Sequence, residues 1–282
     1  MGQVKQAVHY YEKDGLLERV RAALAAAGLG EGTLTWRDLA PLDQFHARGL
    51  AATKEMAELL TLPPQSNFLD IGSGLGGPAR YLAANYGCTV QGIDLTQSYV
   101  DIANYLAERT GLAERVTFEC GNATALPYAD ESFDAAWTQH VAMNIEDRST
   151  FYAEARRVLK PGGKLAIYDV IAGAEGSVHF PVPWSNGPET SFLLNEQEMK
   201  TQLLAAGFKI DSWLNRTADG IAWFEDFQQK QKQRATPDET KTAQPLGLNT
   251  IVGPDLAERT ANFLRSLQEG RAGLVEAILV RP

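Results

Sequence analysis

Cysteine is scarce, basic residues are in the minority, and long apolar runs are missing. Only Cys88 and Cys120 occur in 282 residues. Both fall in segments that read as strands, which fits buried free thiols in a reducing compartment better than a disulfide framework. Lys and Arg number 26 against 35 Asp and Glu, giving a formal net charge of -9. An acidic chain repels phosphate backbones, so nucleic acid is not expected as a partner. The densest basic cluster, Lys230 to Arg234, reads as the solvated side of a helix. No apolar run approaches the ~20 residues that span a bilayer. The segment Met1–Lys5 shows no basic region followed by an apolar stretch, and Gln6 argues against myristoylation. A cytoplasmic protein without a membrane partner is expected, and a homodimer stays open.

What is present is an alternation of strand-like and helix-like segments. Residues 4–27 carry apolar positions at helical spacing, and a second helical stretch runs from about Gly49 to Leu60 before Pro63-Pro64. These residues, 1–64, read as an N-terminal helical cap. From residue 65 onward the pattern becomes βαβα, which implies parallel strands covered on both faces. Strands are expected at 67–71, 88–93, 115–119, 133–138 and 164–170. Residues 172–195 form a long loop with little periodicity. A helix over 196–206 and a sixth strand over 208–214 follow. Residues 215–255 form a second insertion, and 256–267 are helical. A last strand over 274–280 completes an antiparallel addition at the sheet edge.

The sharpest local signal is Asp70-Ile71-Gly72-Ser73-Gly74-Leu75-Gly76-Gly77. Gly72, Gly74 and Gly76 let backbone N–H groups approach a ligand and let the next helix pack closely on the sheet. Asp94 ends the following strand, about 20 residues on, where an acid can take two ribose hydroxyls. The plainer reading of Asp94 is a helix N-cap. Asp70 stands just before the first glycine and would oppose a pyrophosphate, whereas it can meet a cation. An adenosyl ligand with an ammonium and a sulfonium therefore fits better than a dinucleotide.

With those residues in view, the chain resembles class I S-adenosylmethionine-dependent methyltransferases. The matching segments are LDIGSGLGG at 69–77, GID at 92–94, GNATALPYADESFDAAW at 121–137 and RVLKPGGKLAI at 157–167. The resemblance implies a Rossmann-like, seven-stranded, mostly parallel α/β sheet with helices on both faces, plus the N-terminal cap. It implies S-adenosyl-L-methionine as cofactor and a small-molecule acceptor methylated on N, O or C. Asp70, Gly72, Gly74 and Gly76 would hold the methionine end, and Asp94 the ribose. Leu95 would pack on the adenine, with Asn122 and Ala123 at its edge. Many relatives have Asp at position 122, and Asn could accept the adenine amino bond through its carbonyl oxygen. Within the family the chain looks most like sarcosine/dimethylglycine N-methyltransferases, sugar O-methyltransferases and ubiquinone/menaquinone methyltransferases. Several of these carry His near position 144, where this chain has Asn144, so no catalytic histidine transfers from them.

Acceptor chemistry must come from beyond the strand ends. His140 follows strand four and Asp169 ends strand five, so His140 is a candidate base that Asp169 could orient. The alternative for His140 is a hydrogen bond to backbone beside the pocket. Gln139 is expected near the methionine portion. His46 from the cap and Tyr11 from the first helix are candidate contacts, as are Trp184 and Phe192 from a lid over 172–195. Trp223, Phe224 and Phe227 line the same cavity or form core, and Trp213 reads as core. His9 and His179 rank lower. Two rival classes remain: a nicotinamide-dependent oxidoreductase, and a module that binds the cofactor without turnover. No metal site is expected.

Overall fold

A computed structural model describes residues 10–11, 15–234 and 246–282. Seven strands form one sheet in the order β3-β2-β1-β4-β5-β7-β6. They are β1 (Asn67–Ile71), β2 (Thr89–Asp94), β3 (Val116–Cys120), β4 (Phe133–Gln139), β5 (Leu159–Ala172), β6 (Lys209–Asn215) and β7 (Ala272–Val280). The first five pair in parallel. β1 lies between β2 and β4 and is buried at every position but its first, as a strand covered on both faces must be. Strand order reverses between β1 and β4, and their C-terminal ends open the crevice where ligands bind in open α/β sheets.

The end of the sheet differs from the sequence expectation. β7 slots between β5 and β6 and runs antiparallel to both. β6 therefore points the same way as the first five strands, and β7 alone is reversed. Their composition fits this order: β7 is an almost continuous apolar run, buried at all but its last position, while β6 alternates and is only half-buried, as an edge strand is.

Of the first expected helix, Leu16–Ala26 is described; residues 4–9 and 12–14 of that expectation, with His9, lie outside the described residues. The helix over the second stretch spans Leu50–Leu60. Between them stands a helix the periodicity did not reveal, Trp36–Asp43. Its start is fixed by Asp38, whose carboxylate accepts from the Thr35 amide at 2.7 Å. The apolar core runs without a break from this cap into the sheet: Trp36, Met56 and Leu60 share one cluster with Phe68, Val90 and Trp137. Residues 173–195 carry only the Val182–Ser185 bridge and a single turn at Pro188–Thr190, as the long loop expected there. That loop and the helices Thr217–Arg234 and Leu256–Gln268 close the far side of the crevice. Among the described residues no helix is long and apolar enough to cross a membrane.

Candidate active site

The turn after β1 is built so that nothing but glycine fits at its corners. Gly72 and Gly76 adopt φ of 77 and 74 degrees, where side chains are strained. A β-carbon would overlap Val141 at Gly72 and the Phe118 ring at Gly76. The Gly72 and Ser73 amides donate to the Ile93 carbonyl at 2.8 and 3.0 Å, tying the turn to β2. Asp94 accepts from Gly74 N at 2.8 Å with one oxygen and from Thr96 N at 2.9 Å with the other. It thus performs the cap-like duty that was its plainer reading. A carboxylate has about four lone-pair sites, so both oxygens keep acceptor capacity for hydroxyls.

Asp70 is 3% exposed, and one of its oxygens has no hydrogen-bond partner among the described residues. Burial raises its pKa to about 7, opposed by the nearby Trp137 indole N–H, reinforced by the Asp94 charge and opposed again by Arg80. An orphaned, buried carboxylate oxygen on a cavity wall is chemically unfinished, and a cationic ligand would complete it. Nearby, Asp43 and Arg80 form an ion pair at 2.7 Å with both side chains almost wholly buried. Arg80 also donates to the Leu75 carbonyl at 2.7 Å. This pair fastens the cap to the glycine turn, a link with no signal in local sequence.

These residues surround a cavity of about 200 Å³ that is also lined by Leu95, Asn122, Ala123 and Gln139. Gly76 is not on its wall, and starts the helix Gly77–Tyr86 instead. Asn122 departs from the sequence reading. Its Oδ1 accepts from both the Thr124 amide and hydroxyl at 2.9 Å. A backbone N–H can only donate, so that oxygen is committed, and Nδ2 is left for a ligand. Gln139 is buried, with neither end of its amide partnered among the described residues.

The candidates beyond the strand ends separate into two groups. His140, His46, Tyr11 and Trp184 line the cavity, as do Trp223, Phe224 and Phe227. Asp169 and Phe192 do not. Asp169 is 1% exposed, lies 3.9 Å from Arg148, accepts from the Val170 amide at 2.9 Å and faces the backbone amides of the turn at 142–144. It supports that turn from beneath and does not reach His140. Phe192 is held by its backbone: its amide donates to the Met143 carbonyl and its carbonyl accepts from Arg148. Trp213 lies outside the cavity, against the core and under the Lys200 ammonium at 4.6 Å. His179 pairs with Glu269 at 2.7 Å, away from the site.

His140 is engaged at both nitrogens. Nδ1 lies 3.1 Å from the Tyr168 carbonyl, which can only accept, so Nδ1 carries the proton. Nε2 then accepts from the Ala47 amide at 3.3 Å. Burial lowers its pKa to about 4. The ring bridges β5 to the cap, and its lone pair is occupied by backbone. His46 is committed at Nε2 only, 3.0 Å from the Gly49 carbonyl, and burial foremost lowers its pKa to about 3. Sequence reasoning missed Phe45, Tyr99, Phe263 and Thr260 on the wall. Among the described residues no group of His, Cys, Asp and Glu is arranged to hold a metal ion.

A family model described as a methyltransferase domain matches residues 69–167, the stretch that carries the glycine turn, Asp94 and Asn122. Residues 69–167 thus resemble a methyltransferase domain. Methyltransferase GfsG of Streptomyces halstedii is 36% identical over 136 residues, 48% of this chain and 49% of that protein. The erythromycin 3''-O-methyltransferase of Saccharopolyspora erythraea is 33% identical over 163 residues, 57% of this chain and 50% of its own length. The chain thus spans about half the length of these curated relatives. The crystal structure of the [4+2]-cyclase SpnF superposes with a TM-score of 0.67 at 26% identity, covering 95% of this chain and 93% of that one. The family match in sequence is confined to residues 69–167, while likeness in shape covers nearly the whole chain.

Proposed function

We propose that the protein transfers a methyl group from S-adenosyl-L-methionine to N, O or C of a small molecule in the cytoplasm. The observation that carries this reading is Asp70: a buried carboxylate with an unanswered oxygen, beside a turn whose glycines leave no room for a side chain. The donor brings a cationic methionine end to that oxygen, and its sulfonium makes the methyl carbon electrophilic. Asp94 accepts from the ribose, and Asn122 donates through Nδ2 to the adenine edge. The cap and the loop over 173–195 exclude water, and alignment of acceptor and methyl group supplies most of the acceleration. His140 helps by holding the cap on β5, not by removing a proton. A pyridine dinucleotide would set its phosphates against Asp70, which disfavours an oxidoreductase.

Calorimetry tests the donor site. Saturable heat is expected with S-adenosylmethionine and S-adenosylhomocysteine and none with NAD or NADP; the opposite pattern overturns the proposal. The likeness to SpnF, whose structure carries the name of a cyclase, favours a second reading in which the donor is bound but not consumed. Tight donor binding without transfer of a tritiated methyl group to any acceptor in a broad panel would favour it.

A further inference from the structure

The cavity has a second half, facing away from the glycine turn, whose chemistry is of one kind. Phe45, Trp184, Trp223, Phe224, Phe227 and Phe263 all contribute to its wall. The rings pack on one another. Trp223 and Phe227 stack at 5.3 Å, while Trp184 and Phe224 meet Phe263 edge-on at 5.0 and 5.3 Å. Trp223 also reaches toward Gly49, so this wall abuts the cap segment that holds His46.

Most side-chain polar atoms in this half are already used, His46 Nδ1 and Trp223 Nε1 aside. The Tyr11 hydroxyl donates to Asn144 Oδ1 at 3.0 Å, and Asn144 Nδ2 donates to the carbonyls of Trp184 and Thr190. Trp184 Nε1 donates to Ser191 Oγ at 2.9 Å, and the Thr260 hydroxyl donates to the Leu256 carbonyl at 2.7 Å. His140 is engaged at both nitrogens. Among the described residues on the cavity wall there is no Lys or Arg, and the carboxylates are Asp43, Asp70 and Asp94. Asp43 is tied to Arg80, and the other two belong to the donor turn.

We infer that the acceptor is an uncharged, predominantly apolar molecule, held by the aromatic wall and oriented by the amide of Gln139. An acceptor with a phosphate or carboxylate would enter an acidic cavity with no cation to meet it, at the cost of its hydration. A methylammonium cage would set aromatic faces around one point; here faces and edges are spent on ring–ring contact. The buried Gln139 amide is left as a neutral donor and acceptor for one polar group of the acceptor. The inference rests on the methyl-donor reading, since it assigns only the space the donor leaves.

The test uses the full chain with saturating S-adenosylhomocysteine and the neutral apolar dye N-phenyl-1-naphthylamine, followed by fluorescence. The dye should bind saturably, and excess sarcosine or phosphoethanolamine should not displace it; in a separate assay with tritiated S-adenosylmethionine in place of S-adenosylhomocysteine, neither should take up the labelled methyl group. Trp223→Glu and Phe227→Glu should each weaken the dye about tenfold or more, because a charge then enters an apolar wall without a partner. Calorimetric affinity for S-adenosylhomocysteine should stay within about twofold, as neither residue is on the donor turn. Should a glutamate variant not fold, Phe227→Gln carries the same comparison. Methylation of sarcosine or phosphoethanolamine, dye displacement by either, or indifference of the dye to these substitutions overturns the inference. Failure of wild-type protein to bind S-adenosylhomocysteine would instead sink the donor reading, which separates the two results.

Discussion

The donor half of the cavity comes from neighbouring turns of one βαβ series, at 70–75, 93–96 and 121–123. The acceptor half is assembled from widely separated pieces: Tyr11, residues 45–47, 140–145, 183–184, 223–227 and 248–263. The first is specified by local chemistry, namely glycines that no side chain can replace and acids at strand ends. The second is specified by how distant segments meet. Evolution can therefore change the acceptor by altering loops, with the donor turn untouched. The buried pair Asp43–Arg80 joins the two halves, since it pins the cap to the glycine turn.

Breaking that joint should have the largest effect. Arg80→Met leaves Asp43 buried without its cation, with only the Gln44 amide at 3.4 Å, and loss of one member of such a pair costs about 3–5 kcal/mol of stability. Chemical denaturation should show the loss. A change under about 1 kcal/mol would mean that water reaches Asp43 and that the cap is held by apolar contacts alone.

Within the donor half, Asp70 should show opposite effects on binding and on folding. Asp70→Asn removes the partner of the donor's cationic end and should weaken S-adenosylhomocysteine about 100-fold, in line with the 2–5 kcal/mol typical of buried charge pairs. The same substitution should raise the melting temperature of the donor-free protein at pH 8. The sign follows from the raised pKa. In the unfolded chain Asp70 ionises near 4, whereas in the fold it holds its proton to about 7. Its contribution to stability is thus present below 4 and lost as pH rises through 7. Donor affinity runs the other way: in the wild-type protein it should rise with pH up to about 7, by as much as tenfold per unit. Asp70→Asn should flatten that slope. A wild-type affinity that ignores pH between 5.5 and 7 would remove Asp70 from the binding step.

The sequence exposes the donor half because its constraints are short-range. Gly72 and Gly76 hold a positive φ that only glycine adopts without strain, so the spacing of the glycines encodes the turn directly. The fold class and the five parallel strands are legible for the same reason. Asn122 shows the limit even there. The residue could be picked out, but which end of its amide faces the ligand depends on Thr124, two positions on. Asp169 misleads in a different way. A carboxylate at a strand end reads as a catalytic partner, yet alternation along β5 turns it toward Arg148 and the 142–144 turn. The aromatic wall is legible only in part: Trp184, Trp223, Phe224 and Phe227 could be named, but not told from core, because core and cavity aromatics share one spacing.

A smaller effect separates the two ends of Asn122. If Nδ2 donates to a ring nitrogen of adenine, wild-type protein should bind the 1-deaza analogue of S-adenosylhomocysteine about fivefold more weakly, the size of one neutral hydrogen bond. Asn122→Asp has no donor to lose there, so its two affinities should agree within about twofold, a double-mutant comparison that cancels changes elsewhere. Equal losses in both proteins would return the amide to the orientation expected from sequence.

The smallest expected effect concerns His140, and its smallness is informative. A positioned general base contributes about 10²–10⁴-fold, so a base role predicts a collapse of kcat in His140→Gln. The structure gives the ring another task. Its Nε2 lone pair accepts from Ala47 N, its Nδ1 donates to the Tyr168 carbonyl, and its pKa sits near 4. From pH 6 to 8 the ring is neutral and already occupied, so kcat at saturating donor should show no inflection near 6.5 that belongs to it. The glutamine amide can keep at least one of the two bonds, which leaves the cap on β5. In His140→Gln, kcat should therefore fall by less than about threefold, within the worth of a single neutral hydrogen bond. A loss of about 100-fold with unchanged donor affinity would show that the acceptor displaces Ala47 from Nε2 and gives up a proton there. The acceptor half would then be chemically active, and no longer only an aromatic wall that aligns what the donor half supplies.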